Sequence, residues 1–246
     1  MEREDGVTMA QSPKKAVPST RRRKNSRSGG TMNKEMIVRE ALAIVRSEGV
    51  SGLSMRKLAA QIDSDVALAY YYVDNKDELM TLVIEEAFSA FPLDWASDTD
   101  WREGLRGWAH AFYDLLATYP GLAELLLARP TPSPNVLVQY DALIGCLRRG
   151  GLSRERAALG YVNLHTVVAS RVWVDSAMAQ GHSSRTAAAE ANLREYRALL
   201  QSVDPRAVPN FVWLGDTSSH FGQRDHLDFA VNAVIVGLEK APTETR

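Results

Sequence analysis

The sequence contains one cysteine, Cys146, in 246 residues. A single thiol closes no internal disulfide and builds no thiolate metal cluster, which excludes a disulfide-stapled secreted scaffold and a zinc finger and makes a reducing cytoplasm the expected compartment. Long apolar runs are equally missing. Runs such as Ala230–Val231 and Ala233–Val236, broken by Asn232, fall far short of the ~20 residues of a bilayer-spanning helix, so a soluble chain with no membrane association is expected. The first residues offer no apolar core for a signal peptide, and Glu2, Glu4 and Asp5 stand where a mitochondrial transit peptide avoids acids. Alternating β-branched runs are few, and no period of 20 to 50 residues marks a repeat protein.

Motifs of catalysis are missing too. There is no P-loop, no glycine-rich dinucleotide turn and no nucleophile motif. His110 and Asp114 lie four apart on a helical stretch, and His220, Asp225, His226 and Asp228 cluster near the end, yet neither group has the count or spacing of a metal site. The pair reads as an exposed hydrogen bond and the cluster as the polar rim of a dimer helix. Neither an enzyme nor a cofactor is expected.

What is present is an ordinary globular composition, 45% hydrophobic and 24% charged, over a length that suits one domain with an appendage or two small domains. The net charge of −1 hides an asymmetry. Residues 1–31 carry eight Lys/Arg against three Asp/Glu, and the remainder 21 against 27. Lys14, Lys15, Arg21, Arg22, Arg23, Lys24 and Arg27 stand among Ser, Pro, Gly and Asn, the composition of a disordered basic arm. Such an arm suits DNA phosphates or a minor groove; it also suits a solubilising extension or a misassigned start. If it serves DNA, deleting residues 1–31 lowers affinity and flattens the salt dependence of binding.

From residue 32 onward the pattern is helical almost throughout, which sets the fold class as all-α. Ile37, Ala41, Ile44 and Val45 make one apolar stripe over about residues 33–48, closed by Gly49. Ser54 caps a short helix to Ile62, with Leu53 and Leu58 as a hydrophobic staple. After the turn at Asp63-Ser64-Asp65 another short helix spans about 66–73, and Asn75 with Glu78 opens a fourth that runs to Phe91 before Pro92. Two short helices joined by a tight turn and braced by a longer one form a tri-helical helix-turn-helix. Further helices are expected at about 101–118, 120–128, 135–149, 153–179, 184–202 and 225–240, with 203–222 irregular.

The motifs Ser54-Met55-Arg56-Lys57-Leu58-Ala59 and Tyr70-Tyr71-Tyr72-Val73-Asp74-Asn75-Lys76-Asp77-Glu78-Leu79 resemble the DNA-binding domain of the tetracycline-repressor (TetR) family. Leu127-Ala128-Arg129-Pro130, Gly150-Gly151-Leu152-Ser153 and Val236-Gly237-Leu238-Glu239-Lys240 resemble the carboxy-terminal domain of tetracycline-repressor-type members. The resemblance implies a homodimeric bacterial transcription factor, usually a repressor, that binds a palindromic double-stranded DNA operator and a small-molecule effector. It divides the chain into the arm 1–31, a DNA-binding domain 32–80 and an effector-binding and dimerisation domain 81–246.

Carried over by position, Arg56 reaches a base edge, while Tyr70, Tyr72 and Lys76 hold phosphates, with Tyr71 beside them in the DNA-facing set. Val66, Ala67 and Leu68 match the exposed first turn of the recognition helix, where many relatives carry polar residues; here they can only pack on thymine methyls or grip nothing. Asp63 replaces a usual glycine and Ser64 a usual buried aliphatic residue. Residues 32–80 carry six Lys/Arg against eight Asp/Glu, a weak electrostatic footprint for DNA.

Trp108, Phe112 and Leu116 recur on one helical face, and Leu126, Tyr140, Leu143, Leu147, His165, Val168 and Trp173 are candidates to face them around an apolar effector site. Each aromatic alone is as well explained as core. His165 suits an orienting hydrogen bond to an effector or to a neighbour, and both readings stand. Tetracycline with magnesium is not the expected ligand: Trp108 stands where the family's namesake has a polar amide, and no histidine lies near Leu125 and Leu126. Phe229, Val231, Val234, Ile235 and Leu238 on the last helix, with the helix from Ser153, form the expected dimer surface. The competing reading is a helical dimer that binds a ligand or partner with weakened DNA recognition.

Overall fold

The computed structural model describes residues 33–96, 100–128, 133–179, 185–215 and 223–240. The basic arm, the turn 129–132 and His220 lie outside them. Eleven helices occupy the described residues and no strand is found among them: α1 Lys34–Gly52, α2 Met55–Gln61, α3 Val66–Tyr72, α4 Lys76–Ser89, α5 Trp101–Thr118, α6 Leu122–Ala128, α7 Pro134–Arg149, α8 Arg154–Ala179, α9 Arg185–Ser202, α10 Pro209–Leu214 and α11 Gln223–Lys240. None of them is long and apolar enough to cross a membrane.

Local chemistry sets the starts of the first helices. The side chains of Asn33, Ser54, Asp65 and Asn75 accept from Met36, Lys57, Leu68 and Glu78 amides, each three residues on, so every helix of the headpiece begins on a satisfied donor. At α4 the N3 carboxylate of Glu78 accepts the Asp74 amide at 2.6 Å, one residue before the donor used in a capping box. Gly49 adopts φ 77° and kinks α1, which continues to Gly52 rather than stopping at the glycine. The end of α4 at Ser89 comes two residues before the expected Phe91. The stretch expected to be irregular holds α10, started by Pro209 in the first turn, where a missing N–H costs nothing.

Two cores organise the chain. Ile37, Ala41, Ile44, Val45, Leu53, Leu58, Ala69, Val73, Leu79 and Val83 form the core of the headpiece. The larger core gathers Ile84, Phe88, Trp108, Phe112, Leu116, Leu143, Leu147, Leu164, Val168, Leu227 and Ile235, among others. Helix α4 supplies both, its first half facing the headpiece and its second the larger domain; Leu42, Tyr119 and Leu125 pack against both cores. In the larger domain, Gly104 lets α5 approach the Cys146 sulfur on α7, and Gly160 lets α8 approach Leu147 and Leu238.

Candidate DNA interface and effector core

The turn between α2 and α3 is a complete Schellman motif. Ser64 donates its amide to Ala59 at 2.9 Å and Asp63 donates to Ala60 at 3.2 Å, which needs a left-handed residue at the second position past the helix. Asp63 fills it at φ 50°, a left-handed φ among described residues that are not glycine. The aspartate at this position therefore preserves the turn geometry. Lys34 pairs with Glu78 at 2.8 Å, tying the start of α1 to the start of α4, and this bond, then the Asp74 amide, holds the Glu78 carboxyl below its ordinary range.

Helix α3 is held from behind by Ala69, fully buried, while Ala67, Tyr70 and Tyr71 face outward, the last at 79% exposure. Arg56 and Lys76 are exposed and form no ion pair with another described residue, whereas Lys57 is paired with Glu48. Val66 and Leu68 are half-buried, and Val66 and Tyr72 pack against the headpiece core, so the first turn is less open than the sequence suggests. Arg56, Ala67, Tyr70, Tyr71 and Lys76 are thus all exposed in the headpiece, and Ala67, Tyr70 and Tyr71, three and four residues apart, share one face of α3.

In the larger domain Trp108, Phe112, Leu116, Leu126, Leu143 and Val168 are all buried. Trp108 stacks on Phe112 with centroids 4.8 Å apart, Phe112 meets His165 at 5.4 Å, His165 meets Tyr140 at 5.7 Å, and Tyr140 meets Tyr161 at 5.0 Å edge-on. Phe112 also reaches Phe88 of α4 at 6.2 Å and Phe91 at 6.5 Å. Trp108 in this cluster is fully buried, and Gln139, whose side-chain amide donates to the Phe91 carbonyl at 3.5 Å, is 4% exposed; the Trp108 indole N–H and the Gln139 side-chain oxygen have no hydrogen-bond partner among the described residues. Burial pushes the Tyr140 and Tyr161 hydroxyls above the ordinary phenol range and the His165 imidazole below its own. The core is thus apolar and aromatic, and the Trp108 donor and the Gln139 acceptor beside it have hydrogen-bonding capacity unused among the described residues.

Trp173 departs from the expectation. It is 47% exposed and takes no place in the buried ring cluster, because α8 buries one face, along Ala157, Leu164, Val168, Val172 and Asp175, and Trp173 falls on the open face. Phe88, Phe91 and Tyr161 also belong to the ring cluster, with Gln139 bonded to the Phe91 carbonyl, and none of the four stands in the expected effector set. On α11 the expected apolar stripe divides. Val231, Ile235 and Leu238 are buried in the chain's own core and Val234 is partly covered, while Phe229 and, beside the stripe, Val236 remain exposed at 77% and 43%. Leu159 and Val162 of α8 are exposed at 59% and 53%.

His110 and Asp114 do not bond each other. His110 Nε2 meets Asp228 Oδ1 at 2.8 Å and Asp114 meets Arg224 at 3.5 Å, so both tie α5 to α11. Among the described residues no group of three His, Cys, Asp or Glu is placed to hold a metal ion.

A helix-turn-helix that shares a helix with a larger, aromatic-centred helical domain is the build of a ligand-responsive transcriptional regulator, one end for DNA and the other for a small molecule. Residues 95–241 match the model of the family described as Tetracyclin repressor-like, C-terminal domain. The chain belongs to this tetracycline-repressor family. It is similar to an HTH-type transcriptional regulator of Saccharopolyspora erythraea, 26% identical over 88% of this chain and 91% of that protein. It is also similar to the HTH-type transcriptional repressor DrrR1 of Streptomyces coeruleorubidus, 26% identical over 88% of this chain and 80% of that one. Among solved structures, the TetR family protein ActR of Streptomyces coelicolor in complex with actinorhodin superposes with a TM-score of 0.76 at 25% identity, over 87% of this chain and all of that one.

Proposed function

We propose that the protein is a homodimeric repressor that leaves a palindromic operator when a small, largely apolar or aromatic effector enters the ring cluster around Phe112. One observation carries the reading: Phe112 packs against Trp108 and His165 and also against Phe88 of α4, and α4 is built into the headpiece core. A ligand that parts Trp108, Phe112 and His165 must displace Phe88, and with it the helix that positions α3. For release, the effector must bind the conformation that does not hold DNA more tightly, since equal affinity for both shifts nothing.

The chemistry of the cluster narrows the effector class. Rings supply stacking surface, the Trp108 N–H asks for an acceptor, and the Gln139 oxygen asks for a donor. A planar aromatic molecule bearing both a carbonyl and a hydroxyl meets all three demands, and the complex of ActR with actinorhodin is in keeping with a ligand of this kind in a similar fold. Arg56, Val66, Ala67, Leu68, Tyr70, Tyr71, Tyr72 and Lys76 are the residues assigned to DNA, and Trp108, Phe112, Leu116, Leu126, Tyr140, Leu143, His165 and Val168 those assigned to the effector. The exposed Leu159, Val162, Trp173, Phe229 and Val236 on α8 and α11 support a self-complementary four-helix interface. Within this division the arm is 1–31, the DNA-binding domain 32–80 and the effector domain 81–246, in a cytoplasmic protein.

The test is a tryptophan-quenching titration with hydroxylated naphthoquinones and anthraquinones on the wild type and on Phe112→Ala. Saturable quenching in the wild type that weakens at least tenfold in the variant supports the site. Equal affinity in both proteins places the ligand elsewhere.

A further inference from the structure

We propose that α3 selects its operator by the C5-methyl groups of thymine and not by hydrogen bonds to base edges; the inference rests on the reading of the headpiece as a DNA-binding module. The helix reads Val66-Ala67-Leu68-Ala69-Tyr70-Tyr71-Tyr72. Its first turn holds no side chain able to donate or accept a hydrogen bond. The residue before it, Asp65, has its carboxylate engaged by the Leu68 amide at 2.9 Å as the helix cap. What α3 presents outward is the exposed methyl of Ala67, the uncovered parts of Leu68 and Val66, and the rings of Tyr70 and Tyr71, 50% and 79% exposed.

In the major groove, guanine, cytosine and adenine present hydrogen-bonding groups and no methyl, and thymine alone adds a methyl beside its acceptor. An aliphatic side chain set against guanine, cytosine or adenine desolvates donors and acceptors and returns no bond, which penalises those bases. Against thymine the same side chain buries a methyl. Selection here therefore works chiefly through what α3 rejects. The tyrosine hydroxyls at Tyr70 and the charge of Lys76 suit phosphate contacts that fix the register without reading it. Arg56, exposed on α2, is the charged side chain nearest in sequence to α3 whose guanidinium suits a guanine edge. The half-site that fits these surfaces holds adjacent thymines where α3 lies and a guanine where α2 approaches.

The experiment uses the full chain and a random-sequence duplex pool. After enrichment, each thymine of the selected duplex is replaced singly by deoxyuridine, which keeps Watson–Crick pairing and removes only the methyl, and affinity is measured by anisotropy. The expected result is a selected half-site with thymines at which replacement weakens binding roughly fourfold each, the loss of one buried methyl, while replacement outside the half-site has no effect. Specific binding that no deoxyuridine replacement weakens, or a selected half-site without thymine, overturns methyl readout and leaves the regulator reading standing. Failure of any sequence to enrich overturns the DNA-binding reading itself, and methyl readout with it.

Discussion

The Val50 amide donates to the Pro120 carbonyl oxygen at 2.8 Å, joining the end of α1 in the headpiece to the turn between α5 and α6. Two glycines make the approach possible. Gly49 at φ 77° has Pro120 O 3.0 Å from where a Cβ would stand, and Gly121 at φ 85° has the Val50 Cβ at 3.0 Å. This interlock is a second route, besides α4, by which movement in the effector domain reaches the headpiece.

Gly121→Ala therefore meets two penalties, a left-handed backbone and a contact with Val50. Gly151, at φ 75° with nothing within 4 Å of a built Cβ, meets only the first. Gly121→Ala is expected to cost about 2–3 kcal/mol in urea denaturation and Gly151→Ala about 1. Equal losses in the two variants would remove the interlock from the account.

At the α2–α3 turn, Asp63 holds the left-handed position of a Schellman motif. Glycine adopts that conformation without a Cβ penalty, so Asp63→Gly is expected to raise stability by up to about 1 kcal/mol, the gain being trimmed by the greater entropy of glycine in the unfolded chain. Thermal denaturation of the two proteins reads the sign directly, and a lower melting temperature for the variant would contradict the assignment.

Tyr113 donates its phenolic hydrogen to Asp175 at 2.7 Å, between α5 and α8, and Arg171 pairs with the other carboxylate oxygen. Asp175 is 2% exposed. Removing the carboxylate takes the acceptor from the Tyr113 hydroxyl and the counter-charge from Arg171, and Asp175→Ala is expected to cost about 3 kcal/mol, against about 1 for Tyr113→Phe, which deletes the hydrogen bond to Asp175 and no charge. Comparable costs for the two would show that the ion pair contributes little.

Burial holds the His165 imidazole below its ordinary value of 6.5. A depressed folded-state pKa means that the unfolded chain binds the proton more readily, so this group's contribution is complete above about pH 6.5 and is lost as the pH falls below it. The urea midpoint of the wild type is expected to drop between about pH 7.5 and 5.5 by more than that of His165→Asn. Parallel midpoints across that range would mean that His165 is as well solvated folded as unfolded.

The parts of this architecture that sequence reading found are the ones written locally. Asn33, Ser54 and Asn75 precede apolar stripes, and each caps its helix within three residues; Trp108, Phe112 and Leu116 share one face of α5 because a helix brings every fourth residue to the same side. The failures are tertiary. Trp173 lies on α8, whose 26 residues carry apolar side chains on the buried face and on the open one alike, Leu159 and Val162 among the exposed, so periodicity alone does not tell which of its rings face inward. Val231, Ile235 and Leu238 face their own core because α11 packs on α8 and α5, a choice that the same apolar stripe would equally have made toward a partner. The pairing of Tyr113 with Asp175 spans 62 residues, and no local pattern signals it. Gln139 carries no sequence signature as a lone amide on a helix; what marks it is burial with its side-chain oxygen unpartnered among the described residues.

The coupling of an aromatic core to DNA release is tested most directly by anisotropy of the full-length protein on a labelled duplex enriched from a random pool, titrated with hydroxylated anthraquinones and naphthoquinones. The account predicts tight binding that resists nonspecific competitor, and a fall in anisotropy as one of these ligands saturates the protein, with the fall abolished in Phe112→Ala. Competitor-resistant binding that persists unchanged while the same ligand saturates tryptophan quenching would contradict it, since the site would then be occupied without moving the headpiece.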